Sequence, residues 1–198
     1  MNDIREYLIE AQQILGKISP EQIERLLNCL SETQKRRGRV FCLGVGGGAA
    51  HASHMVNDLR KLCALEAYAP TDNASELTAR INDEGWDTSY KNWLAGSYLS
   101  EKDMVFVFSV GGGDEQKKVS QNLVEALKYA KEKGAKIGGV VSDRGGFTAK
   151  VADACALIPA SFSKKLTAHT EAFQSFIGHL LVSHPKLQKN EMKWESIR

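Results

Sequence analysis

The chain has 198 residues, 42% hydrophobic and 25% charged, enough to bury one sizeable core, and no composition break divides it in two. A net charge of +2 with the signs interspersed, and no basic cluster interleaved with aromatics, argues against a nucleic-acid groove. Cys29, Cys42, Cys63 and Cys155 show no CxxC spacing and lie in or beside apolar runs, as buried thiols of a reducing compartment do, and the charged N-terminus is neither signal peptide nor membrane span, so a soluble, cytoplasmic protein is expected.

In chain order, Ile4, Leu8, Ala11 and Leu15 repeat at helical spacing. A second helix is predicted from Ser19, with Pro20 at its first position and Gln22 completing a capping-box pattern. Together they form a helical hairpin whose apolar face, with Leu8, Leu15, Ile23 and Leu27, needs a partner in the sheet or in another subunit. The basic run Lys35, Arg36, Arg37 and Arg39 marks the solvated end of that hairpin, where cations suit the helix dipole.

The stretch VFCLGVGGGAAHASHMVND, 40–58, reads as strand, glycine loop and helix. The unpaired N–H groups at the helix start make the loop either an anion cradle or simply a tight connection. His51, His54 and Asp58 fall at i, i+3 and i+7, on one stripe of that helix. A short strand is predicted at 66–68, a short helix at 74–81 leading into Asn82, Asp83 and Glu84, and helical spacing again over 86–99.

MVFVFS, 104–109, is an apolar run without alternation, as in a strand buried on both faces, and it ends in a second glycine loop, Gly111, Gly112 and Gly113. Asp114 is predicted to open a helix that runs to Lys133 and stops at Gly134. A third unit follows: strand 137–141, the loop SDRGG at 142–146, a short helix and strand 154–158. The last helix is predicted from near Thr170, with Phe173, Phe176, Ile177, Leu180 and Leu181 on its apolar side and Glu171, Gln174, Ser175, Gly178 and His179 on a polar stripe.

Strands alternating with helices across short glycine loops imply a parallel sheet with helices on both faces. Ligands of such folds bind at the carboxyl ends of the strands, where the strand order reverses, which brings Gly46, Gly47 and Gly48 near Gly111, Gly112 and Gly113. Gly44, Gly46 and Ala49 match the dinucleotide fingerprint only with Ala in its last place, and Glu66 opens the second strand instead of closing it, which argues against a nicotinamide enzyme.

Taken together, FCLGVGGGAAHASHMVNDL, NDEGW, FVFSVGGGDE, SDRGG and TEAFQSFIGHLL resemble the sugar isomerase (SIS) domain family, and within it the phosphoheptose isomerases, over nearly the whole chain. The resemblance implies an α/β fold, a three-layer αβα sandwich on a parallel five-stranded sheet of flavodoxin type, preceded by the N-terminal helical hairpin. It implies one SIS domain over 1–198, with oligomerisation helices over 1–37, the αβα core over 38–184 and a tail over 185–198. It also implies a homotetramer, and aldose–ketose isomerisation of sedoheptulose 7-phosphate in heptose synthesis for surface polysaccharide.

Carried over residue by residue, the family's catalytic glutamate falls on Asp58 and its catalytic histidine on His179. The zinc positions of some members fall on His54, Asp58, Glu171 and His179, all residue types that bind zinc. Substrate contacts are implied for Gly46, Gly47, Gly48, Asp83, Ser109, Gly111, Gly112, Gly113, Asp114 and Glu171. Moving a carbonyl from C2 to C1 needs a base for a carbon-bound proton, an acid for the oxygens and stabilisation of the enediolate. Asp58 and His179 serve either as that acid and base or as ligands of a zinc that polarises the carbonyl. The family lines its phosphate pocket with hydroxyls, whereas the matching positions here are Gly48, Ser109, Val110, Gly111 and Asp114, with Asp114 at a helix start where it would repel a dianion. A SIS module that binds a sugar phosphate or a protein without catalysis is therefore the alternative.

Overall fold

A computed structural model describes residues 2–197. Helices α1 (Asn2–Leu15) and α2 (Pro20–Lys35) lead into strand β1 (Val40–Gly44), and α3 (Gly47–Cys63) follows it. Then come β2 (Ala67–Tyr68), a 3-10 turn, α4 (Ala74–Glu84), α5 (Ser89–Gly96), β3 (Met104–Ser109) and α6 (Gln121–Glu132). The chain closes with β4 (Lys136–Ser142), α7 (Gly146–Val151), β5 (Ala154–Ile158), α8 (Leu166–Ser183) and α9 (Lys193–Ser196).

The five strands are all parallel, in the order β2-β1-β3-β4-β5. This is the flavodoxin-type order, whose switch point lies between β1 and β3. The apolar strand runs feed two cores because successive side chains point to opposite faces. Val40, Cys42, Met104, Phe106 and Phe108 face α2, α3 and α8, while Phe41, Leu43, Val105 and Val107 face α5 and α6. Each large apolar side chain removed from water in these layers contributes roughly 1.5–3 kcal/mol before entropy is counted.

Ser19 caps α2 as its sequence predicts, its hydroxyl accepting from the Gln22 N–H at 3.2 Å. The reciprocal half of the capping box is not made, since Gln22 Oε1 instead accepts from Leu157 N–H on the edge strand at 2.9 Å. That bond, with Ile23, Leu26, Leu27 and Leu30 buried, makes α2 part of the αβα core, not an appendage to it. Of the apolar face predicted for the hairpin, Leu8 and Leu15 remain 59% and 52% exposed. α1 is pinned to α8 by Glu10, whose carboxylate lies 2.8 Å from His169 Nε2, and by Tyr7 stacked on the same imidazole at 4.2 Å. The tail is tied down as well, with Leu187 buried and the Lys189 and Asn190 N–H groups donating to Leu62 O.

Two helix boundaries differ from the sequence reading. The last helix starts at Leu166, a turn before Thr170, and α6 starts at Gln121, not at Asp114. Gly112 and Gly113 adopt positive φ (70° and 81°), which turns the chain out of a helical path, and residues 114–119 form an excursion closed by paired N–H···O bonds between Asp114 and Val119.

Candidate active site

The site is set by how β1 hands over to α3. Gly44 must be glycine because a Cβ would lie 2.2 Å from the Gly48 carbonyl, and Gly46 takes φ 59° as the α3 N-cap. Gly48 is pressed against β3, where a Cβ would come within 2.4 Å of Phe108 O. The start of α3 is thereby locked to the carboxyl end of β3, at the switch point of the sheet.

Two to three turns along α3, His54 and Asp58 meet His179 of α8. Asp58 Oδ2 lies 3.3 Å from His54 Nε2 and 3.8 Å from His179 Nε2, and one donor atom from each of the three falls within 4.8 Å of the others. The two imidazoles sit edge to face at 4.9 Å, and Asn57 Nδ2 donates to Asp58 Oδ1 at 2.9 Å. Asp58 is nearly buried while both histidines are about half exposed. His51, Met55, Phe108, Gln174, Ser175 and Gly178 complete the walls of a recess of about 10 Å³, the room of one water molecule or ion. Two imidazoles and a carboxylate in this spacing are a fitting donor set for zinc, and three protein ligands with a fourth position open is the arrangement of catalytic zinc sites.

The structure does not bring the fourth carried-over ligand into that group. Glu171, two turns before His179 on α8, places its carboxylate over the first turn of α3, where a Cβ on Gly47 would lie 2.4–2.5 Å from its carboxyl atoms. Burial lowers the His51 pKa, an effect that the charge of Glu171 partly offsets. Gln174 is fully buried and donates from Nε2 to Val140 O at 3.1 Å, and its Oε1 has no hydrogen-bond partner among the described residues.

The second loop leaves β3, the neighbour of β1, yet it leans on the third loop more than on the first. Gly112 packs on Gly145, and the Gly112 and Gly113 carbonyls accept from Thr148 and Phe147 N–H. Ser109 Oγ accepts from Gly112 N–H at 3.0 Å, and Gly111 is open to solvent. Asp114 does not stand at a helix N-terminus. Its Oδ1 accepts from the Gln116 and Lys117 N–H groups of its own turn, which holds the carboxyl below its usual pKa and directs the charge into the excursion. The N-cap of α6 is Ser120, whose hydroxyl makes no capping bond. The sequence reading missed Ser120 as the start of α6, and its signal was a serine just ahead of the apolar run Leu123, Val124, Ala126 and Leu127. Asp83 is exposed on α4, paired with Asn82 and outside the recess, so the structure does not support it as a contact of this site.

Comparison with known proteins bears on the family and the fold. The SIS domain family model matches residues 6–142. The lincomycin biosynthesis protein LmbN of Streptomyces lincolnensis is 30% identical over 188 residues, covering 91% of this chain and 68% of its own. A phosphoheptose isomerase of Rhodospirillum rubrum is 28% identical over 172 residues, 84% of this chain and 85% of its own. Among solved structures, a phosphoheptose isomerase from Francisella tularensis superposes with a TM-score of 0.79 at 21% identity, covering 91% of this chain and 95% of the other, a likeness of fold.

Proposed function

Since this chain belongs to the SIS domain family, we propose that it is an aldose–ketose isomerase acting on a sugar phosphate, with sedoheptulose 7-phosphate as substrate and a manno-heptose 7-phosphate as product. The observation that carries the reading is the trio of His54, Asp58 and His179 around a recess at the β1/β3 switch point, the place where this sheet topology puts its ligands. In this reading the phosphate lies on the second loop, Gly111, Gly112 and Gly113, beside the hydroxyls of Ser109 and Ser120 and the start of α6, whose dipole favours an anion. Asp114 is engaged by the Lys117 and Gln116 N–H groups of its own turn and does not cap α6, which leaves the start of that helix open. The carbonyl end of the sugar reaches toward the recess.

His54, Asp58 and His179 would hold zinc, which when bound supplies a Lewis acid to polarise the carbonyl. Asp58 and His179 are then required for turnover as its holders. A homotetramer in the cytoplasm, assembled through the exposed faces of α1 and α8, belongs to the same reading, as does a place in surface-polysaccharide synthesis. Among the described residues no helix is long and apolar enough to cross a membrane.

The test is turnover of sedoheptulose 7-phosphate, followed by separation of the two heptose phosphates. Asp58→Asn and His179→Gln are each expected to lower turnover by about two to four orders of magnitude. Full activity in either variant would remove the trio from the mechanism.

A further inference from the structure

The trio leaves the proton transfers without an owner. Asp58 Oδ1 accepts from Asn57 and Oδ2 faces both imidazoles, so both carboxylate oxygens already have neighbours within the trio. Two further titratable groups lie on the same pair of helices: His51, which lines the recess, and Glu171, one helical turn before the lining residues Gln174 and Ser175. Glu171 holds its carboxylate over Gly47, and His51 stands one turn further along α3 on the same face, four residues from Gly47. Helical side chains lean toward the N-terminus, the direction of that carboxylate, whose charge acts on the His51 ring. Both groups are half-buried, and neither belongs to the trio.

Resting on the isomerase reading, we propose that Glu171 and His51 carry the two protons of the reaction, while His54, Asp58 and His179 organise the carbonyl end. The Glu171 carboxylate takes a proton from C1 of the ketose. The electron pair of that C–H bond forms the C1=C2 double bond, and the π pair of the C2 carbonyl moves onto O2. His51 donates its N–H proton to O2 and recovers one from O1, so the hydroxyl proton passes from O1 to O2. Collapse of O1 to a carbonyl returns the C1=C2 pair to C2, which takes back the proton held by Glu171. C1 is oxidised and C2 reduced, and no outside reactant enters. Burial, which lowers the pKa of His51 against the opposing charge of Glu171, keeps the imidazole neutral at neutral pH, the form this step needs. His54, on the same helix, is the other titratable group acting on it, and β3 presents only the Phe108 ring at 6.1 Å. A carboxylate base beside a neutral imidazole is an established division of labour for enolisation.

The experiment uses full-length protein supplied with zinc and sedoheptulose 7-phosphate in D2O. It reads isomer formation, loss of the C1 proton signal by NMR, and bound metal per chain. Glu171→Gln is expected to slow both C1 exchange and isomerisation by about three orders of magnitude, and His51→Gln to slow isomerisation about 100-fold with the KM changed by less than about threefold. Both variants keep the metal content of the wild type, whereas Asp58→Asn and His179→Gln lose metal. Glu171→Asp, which keeps a carboxylate, recovers at least about tenfold over Glu171→Gln, and this guards against a fold defect in the amide variant. Exchange in Glu171→Gln within about tenfold of wild type, or loss of metal from it, would overturn the role of Glu171, and wild-type turnover in His51→Gln would overturn that of His51. A wild-type protein that neither exchanges nor isomerises the sugar overturns the isomerase reading, and this inference with it.

Discussion

Gly47 and Gly48 are neighbours in sequence and in helix, yet the structure predicts opposite outcomes when each becomes alanine. A Cβ on Gly48 meets Phe108 O at 2.4 Å, a backbone atom held in the middle of the sheet. One on Gly47 meets the Glu171 carboxylate at 2.4–2.5 Å, the far end of a flexible, half-buried side chain. For Gly48→Ala the strand and helix must part, an overpacking cost of about 1–3 kcal/mol. The gain from replacing helical glycine, about 0.5–1 kcal/mol, offsets only part of it. For Gly47→Ala the same gain is set against a rotamer change of roughly 0.5–1.5 kcal/mol in Glu171, so the two nearly cancel. At about 2–4 °C per kcal/mol for a chain of this size, Gly48→Ala should lower the Tm by several degrees and Gly47→Ala should leave it within about 3 °C. Activity separates the two further, because moving a proton-carrying group by about 1 Å costs around 100-fold, so Gly47→Ala should be a stable protein with little turnover. Thermal unfolding by calorimetry beside a turnover assay decides the matter. A Gly47→Ala protein that unfolds early, or one that is fully active, would refute the placement of Glu171 over α3.

If His54, Asp58 and His179 hold zinc, elemental analysis of protein supplied with the metal should find about one atom per chain, and His54→Ala combined with His179→Ala should find none. Absence of metal from the wild type would rule the site out. Sedimentation at micromolar concentration is expected to give a tetramer, because Leu8 and Leu15 of α1 and Phe176 and Leu180 of α8 expose more apolar surface than a monomer usually leaves uncovered, and a monomer would refute this. Burial raises the Cys42 thiol and pushes Cys63 up to about 12, so a thiol reagent at pH 8 should leave these two buried cysteines unlabelled in native protein and label all four after denaturation. Equal labelling rates in the two states would contradict the packing.

The sheet was legible because a parallel strand buried on both faces has to be a short unbroken apolar run, and 104–109 coincides with β3, while the apolar run 154–158 coincides with the edge strand β5. The stripe of His51, His54 and Asp58 was legible because helical periodicity alone places it. How those residues divide was not. Spacing on α8 puts Glu171 and His179 on one stripe, but which turn of α3 each meets depends on how the two helices pack, with Gly178 of α8 facing Met55 of α3, and spacing within one helix does not encode that. The start of α6 was misread because Asp114 and Glu115 look like a cap followed by an acidic first turn. Their true surroundings follow from the positive φ of Gly112 and Gly113 and from the Asp114–Val119 pairing, neither of which has a local sequence signal strong enough to outweigh a helix start. The capping box at Ser19 was half right for a similar reason. A tertiary partner, the N–H of Leu157 on an edge strand, competes for Gln22 and wins.

The central claim is that a sugar phosphate lies across the carboxyl ends of β1 and β3. Crystals soaked with sedoheptulose 7-phosphate test it directly. The account predicts density with the phosphate on the Gly111, Gly112 and Gly113 loop beside Ser109 and Ser120, and with C1 and C2 between Glu171, His51 and the His54, Asp58 and His179 recess. A sugar bound away from the switch point, or a switch point that stays empty at saturating sugar, would contradict it.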